Sequence, residues 1–291
     1  MHKDQIKWLH VEASTRCNAW CPSCPRNLGG QGLSPGLFEQ DLDPEKFREI
    51  LKDFAMLDGI QFCGNYGDPV IAGSFIELIK LALTKTQKIQ IHTNGSLRNT
   101  AWWRELAELL SKTNHNVWFG IDGLKGVHEI YRQATDFDKV IENAKAFIDA
   151  GGVATWQFIP FRHNEHQIKD CMRLSQQLGF KAFKVIKSFR ADRAEAKHWR
   201  SGEVFVLEPA DVYQTKWKKP ESNIVDPKDC MHLEQPGVYI SASGRIGSCC
   251  YLIDQNNFES TDLLLEKLDI AAMLDTTPLK SCLKNCGSCQ G

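Results

Sequence analysis

Six short apolar runs, at 6–11, 59–63, 88–92, 116–121, 154–160 and 180–186, alternate with stretches of helical period, and this alternation admits few architectures. The helical stretches gather apolar residues on one face: Phe47, Ile50, Leu51 and Phe54; Phe75, Leu78, Ile79 and Ala82; Val140, Ala144, Phe147 and Ile148; then Ile168, Cys171, Met172 and Ser175. The first of them has Asp43 as its N-cap and Pro44 at its first helical position. Repeated strand–helix units imply a parallel α/β sheet with right-handed crossovers. Six units are too few to close an eight-stranded barrel, so the expected architecture is an open, partial (β/α)6 barrel. Such sheets carry their chemistry on the loops that follow the strands.

The eleven cysteines fall in two groups: Cys17, Cys21 and Cys24 directly after the first strand, and six between Cys230 and Cys289. Only Cys63 and Cys171 lie between, and both read as core residues. No stretch reaches the roughly 18–20 apolar residues of a membrane helix, and the first residues show no export signal. Clustered thiols without such a signal point to a reducing, cytoplasmic setting, where they serve as metal ligands more often than as disulfides. A formal charge of -1 excludes a highly basic nucleic-acid coat.

Residues 1–200 are therefore expected to form the barrel. Residues 201–229, with Pro209, Pro220 and Pro227, read as a connector. Residues 230–291 read as a small second module: a β-hairpin from Gly237–Ser241 and Arg245–Leu252, a helix over 261–274 and a cysteine-rich tail. It is too short for a large core and is expected to be stapled by metal.

Cys17, Cys21 and Cys24 have the spacing C-x3-C-x2-C. A structural zinc site takes four ligands, and ordinary iron–sulfur cubes take four cysteines. Three thiolates on one loop suit a [4Fe–4S] cluster with one iron left open; the bland alternative is zinc with a distant fourth ligand. On this loop the chain resembles the radical S-adenosylmethionine (SAM) superfamily. The resemblance implies that the open iron chelates SAM, that reductive cleavage gives a 5′-deoxyadenosyl radical, and that this radical abstracts a substrate hydrogen. Many members carry an aromatic residue just before the third cysteine; here it is Ser23, which leaves Trp20 as a candidate to stack near adenine.

The resemblance also assigns later strand ends. Gly67 and Asp68, in Gly64-Asn65-Tyr66-Gly67-Asp68-Pro69, stand where the family binds the SAM amino group, with Asp in place of Glu. Asn94 is a candidate for a ribose hydroxyl, and Arg132 for the SAM carboxylate. Gly120 replaces the serine that often precedes Ile-Asp-Gly. The second cysteine group resembles SPASM and shorter twitch modules, which implies one auxiliary [4Fe–4S] cluster on Cys230, Cys249, Cys286 and Cys289, with Cys282 as alternate and Cys250 as a spectator. Spacing alone leaves zinc open there.

An excess of Lys and Arg over 181–200 reads as a solvated face or an anion-attracting patch, without a nucleic-acid motif. His163, Glu165 and His166 read as a helix-start turn. The expected activity is two-electron oxidation of a small molecule, with the auxiliary cluster as electron acceptor and a flavodoxin or ferredoxin as reductant. Peptide modification is the alternative, and a non-catalytic iron–sulfur or zinc protein is the rival from another class. Strand one begins within the first residues of this sequence, which tilts the expectation toward a small substrate.

Overall fold

All six expected strands form: β1 (Trp8–Val11), β2 (Gly59–Phe62), β3 (Ile89–Thr93), β4 (Asn116–Gly120), β5 (Ala154–Phe158) and β6 (Ala182–Val185). The structure is a computed structural model and describes residues 6–30, 32–111, 114–186, 194–211 and 237–247. Strands β1 to β6 pair in sequence order, all parallel.

Helices α1 (Pro44–Lys52), α2 (Phe75–Leu83), α3 (Thr100–Leu110), the short α4 (His128–Tyr131), α5 (Phe137–Asp149) and α6 (Ile168–Gln177) fill the crossovers. The Asp43 carboxylate accepts from Lys46 N–H at 2.9 Å, and Pro44 opens α1 as expected. Helix α3, outside the four expected, buries Trp103, Leu106, Ala107 and Leu110 at the same i, i+3, i+4, i+7 spacing.

Alternation along the strands gives the sheet two unlike faces. Leu9, Val11, Ile60, Phe62, Ile91, Val117, Phe119, Trp156 and Phe158 join the buried faces of α1, α2, α3, α5 and α6 in one core. Aromatic contacts bind it, with Phe119 5.1 Å from Trp103 and 6.1 Å from Phe147 between ring centroids. All five helices thus lie on one face, and sequential strands with one-sided crossovers make a barrel-type sheet rather than a doubly wound one. The opposite face is polar and aromatic. Strand register sets His10, Gln61, Gln90 and Asn116 side by side, and His92, Trp118 and Thr155 in the next row.

Two segments depart from expectation. The hairpin placed in a separate module is present as β9 (Gly237–Ile240) and β10 (Ile246–Gly247), but β9 pairs in parallel with β1 and extends the sheet to eight strands. Val238 and Ile240 enter the main core, a burial that a free-standing hairpin lacks. Residues 204–207, expected as connector, form β8 (Val204–Leu207), antiparallel to β7 (Ala194–Lys197). Alternation there turns Phe205 and Leu207 toward the cysteine loop and leaves Val204 and Val206 exposed. The helix at 261–274 and all six C-terminal cysteines lie outside the described residues.

Fully buried Asn143 of α5 donates to the carbonyls of Gly95 (2.8 Å) and Leu97 (3.0 Å), anchoring the loop after β3. Asn143→Ala strands a buried carbonyl and should lower unfolding free energy by roughly 2 kcal/mol in urea denaturation. Asn143→Asp, which has no donor, should be no milder; an unchanged midpoint in both would contradict the anchor.

Candidate active site

The cysteine loop runs from the end of β1 to α1 and is knitted by its own backbone. Cys24 N–H donates to the Cys21 carbonyl at 3.0 Å, and Asn27 N–H to that of Cys24 at 2.9 Å. The Asn27 amide reaches the Ala19 and Cys21 carbonyls, each at 3.3 Å. Ahead of the cysteines, Thr15 bonds the Phe38 carbonyl at 2.6 Å, and Asp41 accepts from Ser14 at 2.7 Å and Arg16 Nε at 2.9 Å. Ala19, Cys21, Tyr131, Phe161 and Leu207 form a second apolar cluster against which Cys17, Cys24 and Phe205 pack. The β7–β8 hairpin is therefore the outer cover of the loop.

Burial governs the thiols. It pushes Cys21 up to about 12, with the Arg132 guanidinium opposing, and pushes Cys17 up as well, with the Asp68 carboxylate and the other two thiols adding to the rise. Metal binding at these positions must therefore release protons. Ser23 Oγ is buried here without a protein partner.

The loop after β2 docks directly on the cysteine loop. Asp68 N–H donates to the Arg16 carbonyl at 2.8 Å. A Cβ on Gly67 would lie 1.8 Å from the Ser14 carbonyl oxygen, so only glycine allows the approach. The Asp68 carboxylate is buried, not solvated. It accepts from Val70 N–H (3.2 Å), Asn94 N–H (2.7 Å) and the Thr93 hydroxyl (2.9 and 3.0 Å to its two oxygens). Burial still raises its affinity for a proton, because these donors only partly replace water.

Asn94 also lies at the cysteines. Its amide donates to Asn18 Oδ1 at 2.9 Å and stands 3.7 Å from Cys17 Sγ, while its oxygen accepts from Ser96 N–H and Oγ. Arg132 Nε donates to the fully buried Asp122 at 2.6 Å, and Nη1 stands 4.0 Å from Cys21 Sγ. A Cβ on Gly120 would meet Arg132 Nη2 at 2.7 Å, so the missing serine makes room for the guanidinium. His128 Nδ1 accepts from Asp122 N–H at 3.1 Å, leaving its Nε2 proton for Thr135 Oγ1 at 3.1 Å.

The structure thus gathers Cys17, Cys21, Cys24, Gly67, Asp68, Asn94 and Arg132 at one end of the sheet. Trp20 is tied by its backbone to the Gln133 carbonyl at 2.8 Å. Glu165 and His166 form the expected helix-start turn, with His163 stacked on Phe161. Of the basic run, Arg200 stacks on Trp199 at 4.6 Å, beside a cleft of about 440 Å³ lined by Asn18, Ser96 and Asp136; Lys187, Arg190 and Arg193 lie outside the described residues. Cys171 is core, as expected. Cys63 is not: it is half-buried, outside the core, and its carbonyl accepts from His10 Nε2 at 2.5 Å. Sequence reasoning passed over Glu12, His10 and Tyr239, although a carboxylate directly after an apolar strand is itself a signal in a parallel sheet.

Residues 11–175 match the radical SAM superfamily, and that span is more than half of the 291 residues. The chain belongs to this superfamily, whose members use a [4Fe–4S] cluster and SAM. A stretch of 107 residues is 31% identical to a tungsten-containing aldehyde ferredoxin oxidoreductase cofactor-modifying protein of Pyrococcus furiosus, covering 36% of this chain and 28% of that protein. The chain thus spans under a third of that relative. Streptococcus suis SuiB bound to S-adenosylmethionine superposes with a TM-score of 0.61 at 13% identity, covering 98% of this chain and 71% of its own. For anSMEcpe with bound AdoMet and Cp18Cys peptide the values are 0.59, 16%, 97% and 86%. At these identities the likeness is one of fold.

Burial pushes His92 down to about 4 and His128 to about 3, the latter aided by Arg132, so both are neutral when folded. An unfolded histidine titrates near 6.5. Between these values the unfolded chain holds the extra proton, and stability falls as pH drops from about 6.5, by up to ~1.4 kcal/mol per pH unit for each histidine. Urea melts at pH 7.5 and 5.0 should show a smaller acid loss for His128→Gln than for the unmutated protein. Equal losses would contradict a neutral, buried His128.

Proposed function

We propose that this chain is a radical SAM enzyme that performs a two-electron oxidation of a small molecule and uses an auxiliary [4Fe–4S] cluster as electron acceptor. The observation that carries the reading is the set of three thiols on one loop after β1, lying among Asp68, Asn94 and Arg132. These residues fit a cube. Among the described residues no three His, Cys, Asp or Glu side chains converge to hold a single metal ion, whereas thiolates on separate irons of a cube need not converge. The orphaned Ser23 hydroxyl offers a donor at the same place.

Bound there, the cluster would supply one electron to the sulfonium of SAM, yielding methionine and the 5′-deoxyadenosyl radical. The chain's own groups hold SAM for this. Arg132, fixed through Nε by Asp122, keeps its Nη groups for the SAM carboxylate. Asp68 accepts from three donors on its own loops, which leaves one of its about four lone-pair positions for the SAM ammonium. The Gly67 backbone brings that carboxylate against the cysteine loop. The Asn94 carboxamide is engaged on both sides, so its role is to hold Cys17 and Asn18 rather than the ribose.

Substrate would lie against the polar sheet face. There the His92 ring stacks on Trp118 at 5.1 Å and is fixed by Gln157 at 3.1 Å and Gln90 at 2.8 Å. Cys230, Cys249, Cys286 and Cys289, with Cys282 as alternate, would hold the auxiliary cluster, and a flavodoxin or ferredoxin would supply electrons in the cytoplasm. Among the described residues no helix is long and apolar enough to cross a membrane. A peptide substrate is the second reading, favoured by the fold shared with SuiB bound to its precursor peptide SuiA, at TM-score 0.61.

Anaerobic reconstitution should give about eight irons per chain. Replacing Cys17, Cys21 and Cys24 together by Ala should leave about four. Cys230→Ala with Cys249→Ala should also leave about four, and should spare SAM cleavage while abolishing substrate turnover. A protein that takes up only zinc, or a triple variant that loses all iron, would overturn the two-cluster assignment.

A further inference from the structure

The residues that grip the β2 loop come from β1 and from β9, far apart in sequence. Glu12, one residue past β1, is 2% exposed. Its Oε1 accepts from Tyr66 N–H at 2.7 Å and from Gly67 N–H at 3.3 Å, and its Oε2 accepts from the Tyr239 hydroxyl. Two residues earlier on β1, His10 donates from Nε2 to the Cys63 carbonyl at 2.5 Å, at the start of the same loop. Tyr239 stands opposite His10 in the β1–β9 register, and their rings meet edge to face at 5.1 Å. One strand therefore holds both ends of the loop from Cys63 to Gly67, and one tyrosine of β9 buttresses both holding groups.

A buried carboxylate is costly unless its oxygens are hydrogen-bonded, and both oxygens of Glu12 are: Oε1 by two loop N–H groups and Oε2 by a phenol. Its position is thereby over-determined, and so is that of the loop. The grip acts where placement matters most, since Asp68 is the next residue and the docking at Gly67 leaves no slack.

We propose that Glu12 and Tyr239 are positioning residues for SAM: they hold the Tyr66–Gly67 backbone so that Asp68 meets the SAM ammonium, which makes docking of β9 on β1 a condition for tight SAM binding. This rests on the radical SAM reading above and adds to it a dependence of the SAM site on β9, whose Tyr239 lies 227 residues beyond Glu12 in sequence.

The test uses the full chain, reconstituted anaerobically, in unmutated, Tyr239→Phe, Glu12→Gln and Glu12→Ala forms. Three quantities are read: iron content, Kd for SAM by anaerobic equilibrium dialysis, and amide exchange of the 63–67 segment by mass spectrometry. Tyr239→Phe and Glu12→Ala should retain the iron of the unmutated protein and weaken SAM about tenfold or more, or ~1.4 kcal/mol. Glu12→Gln should stay within about threefold, because its amide oxygen still accepts from the loop while its NH₂ donates to the phenol oxygen. Exchange over 63–67 should be faster in Tyr239→Phe and Glu12→Ala than in the other two.

Should Glu12→Ala fail to fold, Tyr239→Phe decides alone, since it removes one hydroxyl and keeps the ring packing. Unchanged SAM affinity and unchanged exchange in Tyr239→Phe would overturn the proposal. If the unmutated protein itself binds no SAM, the radical SAM reading fails instead, and with it the role given to this grip; the exchange data would still show whether the loop is held.

Discussion

The approach of the Gly67 backbone to Ser14 is so close that a single methyl group would fall 1.8 Å from the carbonyl oxygen. This contact joins the β2 loop to the cysteine loop, and the placement of the other site groups depends on it. Asp68, fixed beside it, reaches across to Thr93 and to Asn94 N–H, so the β3 loop is drawn to the same point. Asn94 then meets Asn18 and Cys17. Three strand ends are thereby locked by a chain of polar contacts, buried at Asp68 and part-buried at Asn94, each with its partner supplied by a neighbouring loop.

Those contacts are affordable because the sheet divides its labour between faces. The helix side is continuous hydrocarbon and aromatic packing, with the fully buried Phe62, Phe119, Trp103 and Trp156, and it supplies the stability that a polar interior cannot. The other face carries His10, Gln90, His92, Trp118 and Gln157; there His92 is held by hydrogen bonds to Gln90 and Gln157 and by stacking on Trp118, and burial keeps it neutral. The charged pair Arg132–Asp122 sits at the rim, below the cysteine loop, where the guanidinium offsets the buried carboxylate and stands 4.0 Å from Cys21.

Features set by local sequence were legible. The Asp43 cap, Pro44, the four apolar helix faces and the six strands depend on spacing within a few residues, and the structure repeats them. The cysteine triad was legible from its own spacing after β1, whereas Asp68, Asn94 and Arg132 were picked out only through the resemblance; a parallel sheet explains why the loops that carry them meet the triad. Long-range pairing was not. Nothing near Gly237–Ile240 says that it lies against Trp8–Val11, and the Tyr239–Glu12 bond spans 227 residues. The β7–β8 hairpin was obscured by charge and by Pro209, although Val204–Leu207 has a strand's composition. Cys63 was misread for a simpler reason: Ile60 and Phe62 point into the core, so the residue after Phe62 must face the other way.

Formation of 5′-deoxyadenosine and methionine from SAM, followed by chromatography under anaerobic conditions with a strong reductant, tests the central claim most directly. On the proposed reading, Cys17, Cys21 and Cys24 would hold a cluster with one iron open to SAM beside Arg132 and Asp68, and electron transfer to bound SAM would be effectively intramolecular. Slow cleavage without substrate, abolished by replacing any one of Cys17, Cys21 or Cys24, is the result the account requires. A protein whose barrel cluster is intact and reduced, and which nevertheless leaves SAM uncleaved, would contradict it.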